Sequence, residues 1–164
     1  MKPVVLLLLT LLASGALAQD QSQSDTGTKT FTTVERIGED SFRSFYMFTV
    51  SGHEYTIRAD GRGERSLANA RSRNFTLKVD QGRIVQLYYL EYENDLLLVY
   101  QASDRQALHG HVVRMNQTTL LPVWTKSFSD VNPETAQVAA GSLSIKGQDT
   151  TMKIDLRSGA AVGQ

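Results

Sequence analysis

The stretch from Tyr46 to Ile57 (YMFTVSGHEYTI) constrains the fold more than any other part of the chain. Apolar side chains fall on alternate positions on both sides of Ser51-Gly52, and a period of two belongs to strands with one buried face. The two-residue link predicts a hairpin that sets Phe48 opposite Tyr55 and Tyr46 opposite Ile57. Related patterns predict strands at Phe75 to Val79, Ile84 to Tyr92, His111 to Met115, Pro122 to Phe128, Ser142 to Lys146 and Thr151 to Asp155, with turns at Asp80-Gln81-Gly82 and Glu93-Asn94-Asp95. Between the last turn and Ala102 the run LLLVYQA is continuously apolar, as in a strand buried on both faces. One short helix is expected, from Glu64 to Ala70 in a Gly- and Arg-rich stretch. The pattern predicts an antiparallel all-β domain, with propeller-like blades or a β-sandwich, and at most one short helix.

The N-terminus carries Lys2, an apolar run from Val4 to Leu12, and Ala16-Leu17-Ala18. One charge, a short apolar core and small residues at the cleavage point predict a signal peptide over residues 1–18. Residues 19–30 are polar and read as a flexible leader, which leaves 31–164 as a single β-domain. The apolar run is shorter than the roughly 20 residues that cross a bilayer, so no membrane span is expected in the mature chain. There is no cysteine, which excludes disulfides, thiolate metal sites and thiol nucleophiles. An exported domain without disulfides fits a bacterial envelope, periplasmic or secreted. The 17 basic and 17 acidic residues balance, which argues against nucleic-acid binding.

Two segments align without gaps: Met115 to Trp124 (MNQTTLLPVW) and Ile154 to Gly163 (IDLRSGAAVG). Each has an apolar residue, then Asn116 or Asp155, then a small hydroxyl, Thr119 or Ser158, before a tight turn. The Asx side chain can bond backbone groups ahead of it, and Gly159 can supply a positive φ. This resembles the repeat of the quinoprotein-like (PQQ-like) β-propellers, where a strand ends in apolar-Asp, a Thr-Gly turn follows and a Trp comes eight residues after the Asp. The chain departs from it at Leu120, where the family has Gly, and at Gly163, where it has Trp. The resemblance covers roughly residues 95–163 and implies blade-like architecture, with Trp124 docked between neighbouring blades. A blade takes about 40–45 residues, so three or so fit, below the four to eight that close a ring. Either strand edges stay open to a partner or a second copy, or the N-terminal hairpins fold back as a cap into a sandwich.

His109 and His111 flank Gly110 and would point to one side of an extended strand, near Asp104. Two histidines and one acid fall short of a ligand set, so no metal centre is expected. Arg58, Arg62, Arg65, Arg71 and Arg73 form the candidate anion site, weighed against a solvated loop. Glu91, Glu93 and Asp95 lie among tyrosines, but alternation makes Glu91 and Glu93 solvent-facing and turns Tyr92 inward. Asn74-Phe75-Thr76 and Asn116-Gln117-Thr118 are sequons that matter only in a eukaryotic secretory route. No nucleophile elbow, zinc-protease motif or phosphate loop is present. The expectation is a non-enzymatic, cofactor-free interaction or scaffold module. The alternative is a small-ligand-binding protein of the periplasm, as an enzyme or a redox accessory protein.

Overall fold

A computed structural model describes residues 27–38, 43–67, 70–104, 106–129, 131–147 and 149–163; residues 1–18, where a signal peptide is expected, and most of the stretch 19–30 expected as a leader lie outside these residues. The strands are β1 (Lys29–Thr30), β2 (Thr32–Val34), β3 (Arg36–Ile37), β4 (Phe45–Val50), β5 (His53–Arg58), β6 (Arg62–Leu67), β7 (Ala70–Thr76), β8 (Arg83–Tyr92), β9 (Asp95–Ser103), β10 (Leu108–Asn116), β11 (Pro122–Ser129), β12 (Val131–Ala139), β13 (Ser142–Gly147) and β14 (Thr151–Asp155). They form three antiparallel sheets with strand orders β3-β4-β5-β6-β7, β11-β10-β9-β8-β2 and β1-β12-β13-β14. The fold is therefore all-β, as the alternation predicts, and the sheets stack without closing into a barrel.

The middle sheet is the centre of the molecule. From β9, Leu96, Leu98 and Tyr100 enter a core shared with Tyr46, Phe48, Tyr55 and Ile57 of the first sheet. Leu97 and Val99 enter a second core with Val138, Leu143, Ile145 and Ile154 of the third. A strand buried on both faces needs an unbroken apolar run, which is why LLLVYQA lacks alternation. Tyr46 donates to the Ile84 carbonyl at 3.0 Å and ties the first sheet to the middle one. Burial pushes its pKa up to about 12.

The hairpin has the predicted register, Phe48 to Tyr55 and Tyr46 to Ile57. Ser51 and Gly52 both take positive φ, the condition for a two-residue link whose twist matches the strands. The helix expected over Glu64 to Ala70 does not form among the described residues: 64–67 lie in β6 and Ala70 opens β7, with 68 and 69 outside the described residues. Seven residues are too few to sustain a helix alone, and cross-strand packing wins. Phe75 pairs with Gly63, and its ring lies where a Cβ there would come within 2.2 Å, so the aromatic covers the strand glycine. The strand expected over Phe75 to Val79 instead ends at Thr76.

The first strands of the three meanders are β4, β8 and β12, and each gains a neighbour from residues 29–37. β1 pairs with β12, β2 with β8 and β3 with β4. One extended segment thus crosses all three sheets and covers an edge of each. Lys29 and Thr30, read from composition as leader, form its first strand. Polar composition hides this role because an edge strand draws its stability from backbone pairing.

Candidate functional site

The two aligned segments form the same turn. Leu120 N–H donates to the Asn116 carbonyl at 2.9 Å, and Gly159 N–H to that of Asp155 at 2.8 Å. Asn116 N–H reaches the Leu121 carbonyl at 3.0 Å, as Asp155 N–H reaches that of Ala160 at 2.9 Å. The Asn116 side-chain oxygen accepts from the Thr119 amide at 2.9 Å and hydroxyl at 3.2 Å. Asp155 accepts from the Ser158 amide at 2.7 Å and hydroxyl at 2.6 Å. These Ser158 donors hold the Asp155 carboxyl below the usual carboxylate range, the hydroxyl first. Gly159 has φ +70° and Leu120 φ +60°. Leu120 accepts the left-handed conformation because its side chain is buried in the first core.

Each turn also receives donors from the sheet before it. The cross-strand pair Arg65 and Arg73 reaches from the first sheet to the Gln117 and Thr118 carbonyls. The pair Arg114 and Trp124 reaches from the middle sheet to the Leu156 carbonyl, at 2.7 and 2.9 Å. Gln117 and Leu156 are equivalent in the aligned segments, so the docking device occurs twice. The Trp124 indole lies against Gly159, where a Cβ would meet the ring at 2.7 Å. These contacts divide the arginine patch by position. Arg65, 6 % exposed, and Arg73 are docking residues. Arg58 and Arg62 line a hollow of about 360 Å³ on the outer face of the first sheet with Glu64, Asn74 and Thr76. Arg62 also approaches Asp60 at 3.8 Å. Asp60 and Glu64 offset the positive charge there. Arg71 stands exposed on β7.

Asp95 was not separable from Glu91 and Glu93 in the sequence. Those two are exposed, whereas Asp95 is 6 % exposed and accepts from Arg114 Nε at 2.6 Å and Asn116 Nδ2 at 3.2 Å. The donation from Asn116 explains Asn rather than Asp there: a second carboxylate would face Asp95. Glu93 adds a 3.3 Å contact to Arg114, while Tyr92 packs on the second core. Of the sequon asparagines, Asn116 is engaged in its turn and Asn74 is exposed on β7.

His109 and His111 separate in environment. His109 is half-buried and lies 3.7 Å from Asp104. His111 is 1 % exposed, stacks on Tyr100 at 4.9 Å and meets Ser127 Oγ through Nδ1 at 3.1 Å. Burial lowers its pKa, with Asp80 opposing and Lys78 and His109 reinforcing the shift. The unfolded imidazole therefore binds a proton more readily than the folded one. The stability that follows is full above the unfolded pKa of about 6.5 and is lost as pH falls from there through the folded value. Urea midpoints should fall between about pH 7.5 and pH 5.5, and His111→Phe should flatten that dependence. Equal slopes in the two proteins would rule out His111 as its source.

The remaining candidate surface is a strand edge. Among the described residues the other edges are blunted: β1, β2 and β3 are only two or three residues long, Arg71 and Arg73 charge β7, and Val162 N–H bonds the Lys153 carbonyl beside β14 at 2.8 Å. β11 pairs with β10 alone, and Val123, 50 % exposed, and Leu121, 65 % exposed, lie at its start. No family model, curated protein or solved structure matches the chain.

Proposed function

We propose that the chain is an exported, non-catalytic protein-interaction module of the bacterial envelope that receives an extended partner segment along β11. The observation that carries this reading is the open β11 edge, eight residues long, with the exposed apolar side chains of Leu121 and Val123 at its start. Unpaired N–H and C=O groups in a row are a template for another strand, and neighbouring apolar surface adds to the affinity. The leader pattern over residues 1–18 supports export. The repeated Asx turn and the docking of Trp124 on Gly159 support the PQQ-like reading of the architecture. The outer face of the third sheet carries Gln137, Ser144 and Lys153, where the equivalent face of the middle sheet carries apolar residues, and this supports a stack that ends at three sheets.

A photo-crosslinking residue at Val123, compared with one at Gln137 in the producing cell, tests the proposal. Crosslinks from Val123 in an exported fraction, absent from Gln137, are expected. Equal yields from both positions, or none from either, would reject β11 as the binding edge. Retention of residues 1–18 in the cytoplasm would reject export.

A further inference from the structure

We infer that the segment seated on β11 is the β11 of a second copy of this chain, paired antiparallel about a two-fold axis at Thr125. The inference rests on the reading of β11 as the binding edge and names its occupant. Antiparallel pairing about Thr125 sets Trp124 opposite the second copy's Lys126, twice, and Val123 opposite Ser127. Trp124 and Lys126 share one face of the strand, since Trp124 and Phe128 both pack toward the second core. Each ammonium would therefore lie beside a half-buried indole and make a cation–π contact.

Other registers are poorer. An axis at Lys126 opposes two ammonium groups. One at Trp124 opposes two indoles and brings Pro122, which lacks a donor, further into the ladder. One at Ser127 carries the pairing past Ser129, where the chain leaves β11 for β12. Pro122 and the register shift opposite Arg114 and Met115 mark the other limit. The ladder from Val123 to Ser127 fits between these ends and covers the exposed Val123. The balance of 17 basic and 17 acidic residues imposes no long-range repulsion between copies.

The absence of cysteine makes the register directly readable. In the full chain, Thr125→Cys placed on the two-fold should form a disulfide-linked dimer on mild oxidation, because directly opposed residues meet the Cα spacing a disulfide requires. Val123→Cys and Ser127→Cys should stay largely monomeric alone and crosslink when mixed. Sedimentation of the unmodified chain should show a dimer, and Lys126→Glu should weaken it about tenfold through loss of two cation–π contacts. Circular dichroism of each variant separates lost pairing from lost folding. A monomer at concentrations on the order of 100 μM, or a dimer that crosslinks best at another position, overturns the inference. If Val123 then crosslinks a different protein in the cell, the edge reading stands without a second copy; if it crosslinks nothing, both fall.

Discussion

Trp124→Ala should lower the unfolding free energy by about 3 kcal/mol, at the low end for loss of a large aromatic because the indole is only half-buried. Two contributions vanish together: packing of the ring on Gly159, and the 2.9 Å hydrogen bond to the Leu156 carbonyl. The carbonyl keeps Arg114 as a donor, so the substitution does not leave it unpaired. Trp124→Phe keeps most of the packing and should cost about 1 kcal/mol. Gly159→Ala should also destabilise, because φ +70° disfavours a side chain and the new Cβ would press on the ring. Only the φ cost remains once the indole is gone, so the double variant should lose less than the two single losses combined. Urea unfolding followed by far-ultraviolet circular dichroism measures the four variants against the unmodified protein, since Trp124 is the only tryptophan and cannot report on its own removal. A loss below about 1 kcal/mol for Trp124→Ala, or additive single effects, would show that Trp124 does not fasten the third sheet.

The sequence exposed this fastening unevenly. Asn116, Thr119, Asp155, Ser158 and Gly159 were legible because an Asx turn is local: one side chain and the amides two or three residues ahead determine it. Trp124 could be assigned a structural role, but its acceptor, 32 residues away, depends on the stacking of sheets. Arg65 and Arg73 stand in the sequence as part of an anion-site candidate, and nothing local shows that each also gives a donor to a turn carbonyl of the middle sheet. β12 escaped notice because Asn132-Pro133-Glu134-Thr135 interrupts its pattern, and the register with β13 shifts there. Thr135 Oγ1 accepts from Lys146 N–H at 2.9 Å and fills the break. β8 shifts register between Ile84 and Gln86, so Ile84 and Leu87 reach the same core despite their odd separation. Period-two reasoning finds strands and loses its phase at such points.

Asp95→Ala is the other substitution expected to cost about 3 kcal/mol, and here the reason is charge rather than packing. Arg114 is mostly buried and loses its 2.6 Å carboxylate partner, while Asn116 Nδ2 loses its acceptor. Removing one member of a buried pair commonly costs 3–5 kcal/mol. The lower end applies because Arg114 retains the Leu156 carbonyl and the exposed Glu93. Asp95→Asn preserves shape and one acceptor and should cost less. Arg114→Met exchanges the cation for an apolar chain of similar length, and alone it leaves Asp95 with Asn116 as its partner. Combining Asp95→Ala with Arg114→Met should recover stability relative to Asp95→Ala alone, since no uncompensated charge then remains buried. If the double variant is no more stable than Asp95→Ala, the damage comes instead from the lost attachment of Arg114 to Leu156. That carbonyl also receives Trp124, so the two substitutions test one junction from its charged and its aromatic side.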